Sequence, residues 1–187
     1  MNSSRFSLIM KFLAIITTAA TLFFLLCYQH WKAGWLLNCT ISFGTTAYHF
    51  VMRLATGHLL LKLTNYDFDY RHFWFQPRKW EDPLYHRLHI RNWKGKLPTY
   101  APNQFSLKNQ PLARVIQNMC GAELVHEIIM VLSFLPLLAV PRFGAFRVFL
   151  ITSILSALFD SVFVMAQRYN RPRLVRLYEK KEAKMRE

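Results

Sequence analysis

The sequence lacks the local signatures that mark most soluble enzymes. It holds no glycine-rich phosphate loop, no Gly-x-Ser-x-Gly nucleophile turn and no His followed five positions later by Asp. Phosphate-loop hydrolysis, serine-hydrolase chemistry and the soluble type of acyl transfer therefore have no foothold. Cysteine is scarce as well. Cys27, Cys39 and Cys120 lie far apart with no CxxC pair, which excludes a disulfide framework and a cysteine-rich zinc site and leaves buried thiols. Acidic residues number only 10 against 24 Lys and Arg, giving a formal net charge of +14. Neither an internal repeat nor a low-complexity tract occurs.

What the chain does have is apolar surface: 53% of its 187 residues are hydrophobic. A soluble domain of this size rarely combines that fraction with such a charge. Excess positive charge suits anionic headgroups, nucleic acid or a phosphorylated substrate. The basic residues flank lipid-length apolar runs and follow no RNA or DNA recognition module, so no nucleic-acid role is expected.

A helix needs roughly 20 mostly apolar residues to cross a bilayer, and four stretches reach that length. Residues 6–28 hold a single charge, Lys11, and end near Tyr28 and Trp31, an interfacial aromatic anchor. A secretory signal peptide is the competing reading, but the run is long and has no small-x-small cleavage site, so a retained helix is expected. Residues 34–56 include His49 and Arg53 among Ser and Thr, which suits a helix with one face on protein. Residues 121–140 open with Glu123, His126 and Glu127 and contain Pro136, a predicted kink. Residues 143–166 carry Arg147 near the start and Asp160 near the end, and Pro141 and Arg142 predict a tight hairpin between these last two spans.

Residues 57–120 carry ten Lys and Arg and the tail 167–187 is also basic, whereas the connections near Lys32 and Arg142 hold about one each. Four spans put both basic regions and the N-terminus on one side, the cytoplasmic one by the positive-inside rule. The expectation is thus an all-α, multi-pass integral membrane protein forming a single domain. Its segment 57–120, where Trp74, Trp80 and Trp93 alternate with Arg, Lys and Pro, is expected to lie among headgroups as short helices broken at prolines.

Glu123 and His126 are three apart on a helix and share a face, with Glu127 beside them. Ionisable groups at a membrane boundary are costly and mark function by default. A carboxylate on one imidazole nitrogen fixes the tautomer and raises the basicity of the other, as a general base requires. The alternative is a solvated helix end with Glu123 favouring the N-terminus. A second cluster comprises Gln167, Arg168, Tyr169, Asn170, Arg171, Pro172 and Arg173, leaving the last span. Its guanidinium forks match phosphate or carboxylate oxygens; its other reading is a positive-inside stop signal. No metal is expected, because Glu123-x-x-His126 has no second copy, His86 and His89 form only one paired box, and Met130 stands where a zinc protease would have its second His.

These pieces resemble a known family. Arg78-Lys79-Trp80, Asn92-Trp93-Lys94-Gly95-Lys96-Leu97-Pro98, Ala122-Glu123-Leu124-Val125-His126 and Gln167-Arg168-Tyr169-Asn170-Arg171-Pro172-Arg173-Leu174 are similar, in order and separation, to motifs of the glycosyl-4,4'-diaponeurosporenoate acyltransferases. Those are small bacterial membrane enzymes whose namesake esterifies a fatty acyl chain onto the sugar of a carotenoid. The resemblance implies O-acylation of a hydroxyl on a lipid-linked, glycosylated acceptor, with acyl-CoA or acyl carrier protein as donor and no bound cofactor. It implies catalytic roles for His126 and Glu123 and substrate binding by Arg168, Asn170, Arg171, Arg173, Trp80, Trp93, Lys94 and Glu127. Glu127 departs from the aromatic residue that the resemblance leads one to expect after the His, so the shape and charge of the acceptor pocket do not carry over from the family. The partners implied are membrane lipids and the acceptor, and the location a bacterial plasma membrane with both termini cytoplasmic. The competing functions are a methyltransferase or reductase using a nucleotide cofactor, and a non-catalytic module that binds anionic lipid.

Overall fold

A computed structural model describes residues 5–65 and 67–186; residues 1–4, ahead of the first expected span, 66, in the expected surface segment, and 187, in the basic tail, lie outside the described residues. Helix α1 (Arg5–Trp31) buries only Ser7, Met10, Ala14 and Thr17. That stripe recurs every three or four residues, while Phe12 and Ile15 stay 61% and 70% exposed. Apolar side chains open on so many sides are consistent with lipid rather than water as solvent. The threonines tolerate it because their hydroxyls bond back one turn, as Thr18 Oγ1 does to the Ala14 carbonyl at 2.7 Å and Thr21 Oγ1 to that of Thr17 at 2.7 Å.

The chain reverses at Lys32, whose φ of 54° is left-handed, and α2 (Gly34–Thr64) runs back along α1. The two approach closely at Gly44, where a Cβ would sit 3.3 Å from the Thr21 methyl group. A small residue at such a crossing lets the backbones touch. Met52, on the other face of α2, packs with Val125 and Ile129 of α5 (Leu112–Leu132), ringed by Tyr48, Leu60 and Leu132.

Between α2 and α5 lie a 3-10 turn at Phe73–Phe75, α3 (Glu81–Arg87), α4 (Ile90–Trp93) and 3-10 turns at Lys94–Lys96 and Pro102–Phe105. Short helices interrupted by turns are what the prolines predict here. Pro102 opens a turn and Pro111 caps α5, whereas Pro83 sits inside the first turn of α3, where its missing N–H costs nothing. Phe75 anchors this connection beside Phe68 and Cys120.

After α5, a 3-10 turn at Leu135–Ala139 and α6 (Val140–Phe143) lead through Gly144, φ 71°, into α7 (Phe146–Arg186). Glycine is needed at that left-handed position. The buried residues Phe149, Ser153, Ser156, Asp160 and Phe163 of α7 alternate in steps of three and four and face α5 and α2.

Several helix bounds are corrected, and the four expected spans are matched in part. Among the described residues three helical stretches are long and apolar enough to cross a membrane: Arg5–Trp31, Leu112–Phe143 and Phe146–Arg186. Helix α2 has the length but not the apolarity, because it spends positions on His49, Arg53, His58 and Lys62. The third span starts at Leu112, inside the segment assigned to the surface, and Pro136 follows a helix end at Leu132 instead of kinking a continuous helix. The hairpin is accordingly longer than Pro141 and Arg142. The last helix does not stop near residue 166; it runs 41 residues through Pro172, about 62 Å, so the arginine box is helical rather than an exit loop. An interior proline costs about 3 kcal/mol. Here Arg168 and Arg171, in the turn just before it, tie the helix to the connecting segment.

Candidate active site

The site is a file of buried polar groups along the facing surfaces of α2, α5 and α7. Glu123, fully buried on α5, accepts from Arg168 Nη1 at 2.5 Å through Oε1 and from Arg171 Nη1 through Oε2. Arg168 also donates from Nε (2.8 Å) and Nη2 (2.6 Å) to Oε1 of Glu81, itself buried on α3. Its remaining bonds reach the carbonyls of Trp74 at 3.1 Å and Gln76 at 3.0 Å. A guanidinium has five N–H donors, and protein acceptors take all five. Arg171 Nη2 donates to the Phe75 carbonyl, and the guanidinium lies over the Phe75 ring. Two carboxylates thus balance two arginines, the condition under which buried charges are tolerated.

One turn further along α5 stands His126. Its Nδ1 lies 2.8 Å from Oδ1 of Asp160 on α7, and its ring stacks on Phe163 at 4.7 Å between centroids. Asp160 is fully buried, while the His126 side chain keeps 23% of its surface open. The other oxygen of Asp160, Oδ2, accepts from Arg53 Nε at 3.0 Å and Nη2 at 2.6 Å. Arg53 Nη2 also reaches Ser156 Oγ at 2.7 Å, and Ser156 meets Ser133 at 2.7 Å. With Nδ1–H donating to the carboxylate, Nε2 of His126 is left as an acceptor, the tautomer a general base uses. Arg53 and His126 thus share the Asp160 carboxylate, one on each oxygen.

The expected dyad is therefore rearranged. Glu123 and His126 share a helix, but the imidazole takes its carboxylate from Asp160, and Glu123 turns to the arginines, which offer it charge-assisted bonds. Trp74, rather than Trp80 or Trp93, joins the cluster: its Nε1 donates to Glu127 Oε2 at 2.7 Å, while its carbonyl holds Arg168. Trp80 is 56% exposed before α3, and Trp93 Nε1 donates to the Leu88 carbonyl at 2.9 Å. Lys94 Nζ donates to Asn170 Oδ1 and lies 4.6 Å from the Tyr169 ring centroid. Arg173 covers the same ring at 4.5 Å and donates to its hydroxyl at 2.8 Å.

Asp160, Arg53 and Glu81 carry no motif. The signal for the first two was their sign: one acid and one base, each stranded in an apolar run, are cheapest when paired. Glu81 gives no such signal, since it sits in a segment rich in charge.

On the far side of the ion layer from His126 opens a cavity of about 700 Å³, bounded by Tyr70, Glu81, Tyr85, Arg168, Arg171 and Arg173 among others. Burial pushes the Tyr85 hydroxyl above its ordinary range, with Glu81 adding to the shift. Lys94 is held below the usual lysine range, by burial first and then by Arg173 and Arg91. Among the described residues no three of His, Cys, Asp and Glu gather as metal ligands.

Lipid-length helices, an Asp-oriented imidazole among them and a basic cavity beside the ion layer are consistent with a small helical membrane protein that carries a buried polar site. The family model of glycosyl-4,4'-diaponeurosporenoate acyltransferase (CrtO) matches residues 71–180, more than half of the chain, and includes His126, Asp160 and the arginine box. The chain belongs to this family and is an acyltransferase. Comparison with curated proteins and with solved structures gives no match.

Proposed function

We propose that the chain moves a fatty acyl group from a thioester donor, acyl-CoA or acyl carrier protein, to a hydroxyl of a lipid-linked, glycosylated acceptor. The observation that carries the mechanism is the His126–Asp160 pair inside the helix bundle. In this reading His126 Nε2 removes the proton of the acceptor hydroxyl as its oxygen attacks the thioester carbonyl. The C–S bond then breaks, and the imidazolium returns the proton to the departing thiolate. Asp160 holds the ring in its productive tautomer and offsets its transient charge. Glu123 acts at one remove, keeping Arg168 and Arg171 in register.

The acceptor enters from the bundle side. His49, buried one turn from Arg53, has both ring nitrogens unpartnered, and so is the hydroxyl of buried Ser153. Such groups cost free energy until something bonds them, and a sugar hydroxyl is a suitable partner. Lys94, Asn170, Arg173 and Glu127 serve substrate at the rim. Helix α2 makes a fourth crossing, its polar face covered by α5 and α7 and its flank by α1. Both basic regions then face the cytoplasm of a bacterial cell, where acyl donors are found. Whether the acceptor is a carotenoid is decided by the lipid product.

The test is mass spectrometry of lipids from cells expressing the wild type or His126→Ala at matched levels. A species heavier by one acyl group is expected with the wild type and should fall about 10²–10⁴-fold in the variant. Undiminished product from His126→Ala would remove the imidazole from the mechanism.

A further inference from the structure

The cavity beside the ion layer is bounded by five arginines against three carboxylates. Two of the arginines are spoken for, since Arg168 and Arg171 pair with Glu81 and Glu123. Arg173 and Arg176 are not. Arg173 donates to the Tyr169 hydroxyl and Arg176 to the Pro172 carbonyl at 3.3 Å, both neutral acceptors. Arg71 donates to the Tyr70 hydroxyl at 3.2 Å and has Glu179 and Asp69 close by as charge partners. Lys94 reaches the edge of this group across Tyr169, bonded only to the Asn170 amide. Lys94 and Arg173, both over the Tyr169 ring and both on neutral hydrogen-bond partners, repel each other. Burial above all, and then this repulsion, holds Lys94 below the usual lysine range. An anion among them would relieve it, and guanidinium forks favour phosphate oxygens.

We propose that Arg173 and Arg176, with Lys94 alongside, bind a phosphate ester at the mouth of this cavity. The inference rests on the acyl-transfer reading and specifies its substrate. Asp160, the partner of His126, and Arg173 are thirteen residues apart on the continuous helix α7, about 20 Å along its axis. A ligand whose phosphate lies on the arginines and whose carbonyl lies at the imidazole therefore needs a long, thin connector. A thioester on a phosphopantetheine arm has that form. An anionic lipid headgroup offers the same phosphate chemistry from the membrane side, and the experiment separates the two sources.

Full-length protein in phosphatidylcholine nanodiscs is titrated calorimetrically with coenzyme A and with pantetheine, which has no phosphate. The wild type is expected to bind coenzyme A and not pantetheine, and the R173Q/R176Q variant to bind it at least tenfold more weakly. K180Q/K181Q removes equal charge beyond the cavity and should match the wild type. Lys94→Gln, which leaves α7 untouched, should weaken binding at least threefold and replaces the double variant if that one fails to fold. In a second arm, discs doped with phosphatidylglycerol are analysed by native mass spectrometry for retained lipid. Retention by the wild type, lost in R173Q/R176Q and accompanied by no coenzyme A binding, would assign the phosphate to a lipid headgroup. Equal behaviour of wild type and R173Q/R176Q toward both probes, or an equal loss in K180Q/K181Q, overturns the site. These measurements involve no turnover, so a negative result leaves acyl transfer by His126 standing.

Discussion

Replacing Glu123 by Gln tests whether the ion layer holds the surface segment to the helices. The variant keeps the shape of the side chain and one carbonyl oxygen but removes the charge between Arg168 Nη1 and Arg171 Nη1. Glu123 is 0% exposed and Arg171 2%, so solvent cannot replace the lost carboxylate. Two arginines would then share Glu81 alone, leaving one buried positive charge uncompensated. Breaking a buried pair in this way costs about 3–5 kcal/mol. At roughly 2–4 °C per kcal/mol for a chain of this length, the melting temperature should fall by about 6–20 °C. Thermal unfolding of the detergent-solubilised protein, followed by circular dichroism, measures it. Glu123→Gln combined with Arg171→Gln restores charge balance, and should recover part of the loss as positive coupling in a double-mutant cycle. A single variant that melts within about 2 °C of the wild type would show the layer to be hydrated and the reasoning wrong.

Other outcomes follow from the same geometry. Asp160→Asn should lower kcat about 10²-fold or more with little change in the donor's KM, because the base loses its orienting charge while the cavity is intact; steady-state kinetics on equal amounts of folded protein would expose an unchanged kcat. Gly44→Leu should destabilise the α1–α2 pair by about 1–3 kcal/mol through overpacking against Thr21, whereas Gly34→Leu, which meets open space, should melt as the wild type does. Phosphate-ester binding should weaken as pH rises through the lowered Lys94 pKa, since only the ammonium attracts the anion. The decline should begin below the range of an ordinary lysine and shift upward when Arg91 or Arg173, which depress that pKa, is replaced; titrations across alkaline pH follow it.

The apolar runs, the basic connections and the Glu123–His126 spacing were legible from the sequence because each depends on neighbours within a turn or on bulk transfer from water. Local pattern also predicted short helices in the connecting segment, but not that Pro83 would lie inside one of them. Helix ends were less legible. Pro172 reads as a boundary, yet α7 runs through it, and Arg168 and Arg171 in the turn before it find acceptors on a segment some ninety residues earlier in the chain. The low apolarity of α2 was likewise visible, but not what its polar residues face.

What the sequence by itself determined was which groups could not be left in lipid alone: Arg53, Glu123, His126, Asp160 and the arginines beyond them. Only the tertiary structure decided who pairs with whom. His126 and Glu123 can touch across one helical turn, but a buried carboxylate goes to whichever cation the packing of α5 on α7 brings to it. That packing delivers Arg168 and Arg171 to Glu123 and Asp160 to the imidazole. Partner choice among buried charges is a property of helix faces brought together across long stretches of chain, and spacing along one helix cannot encode it.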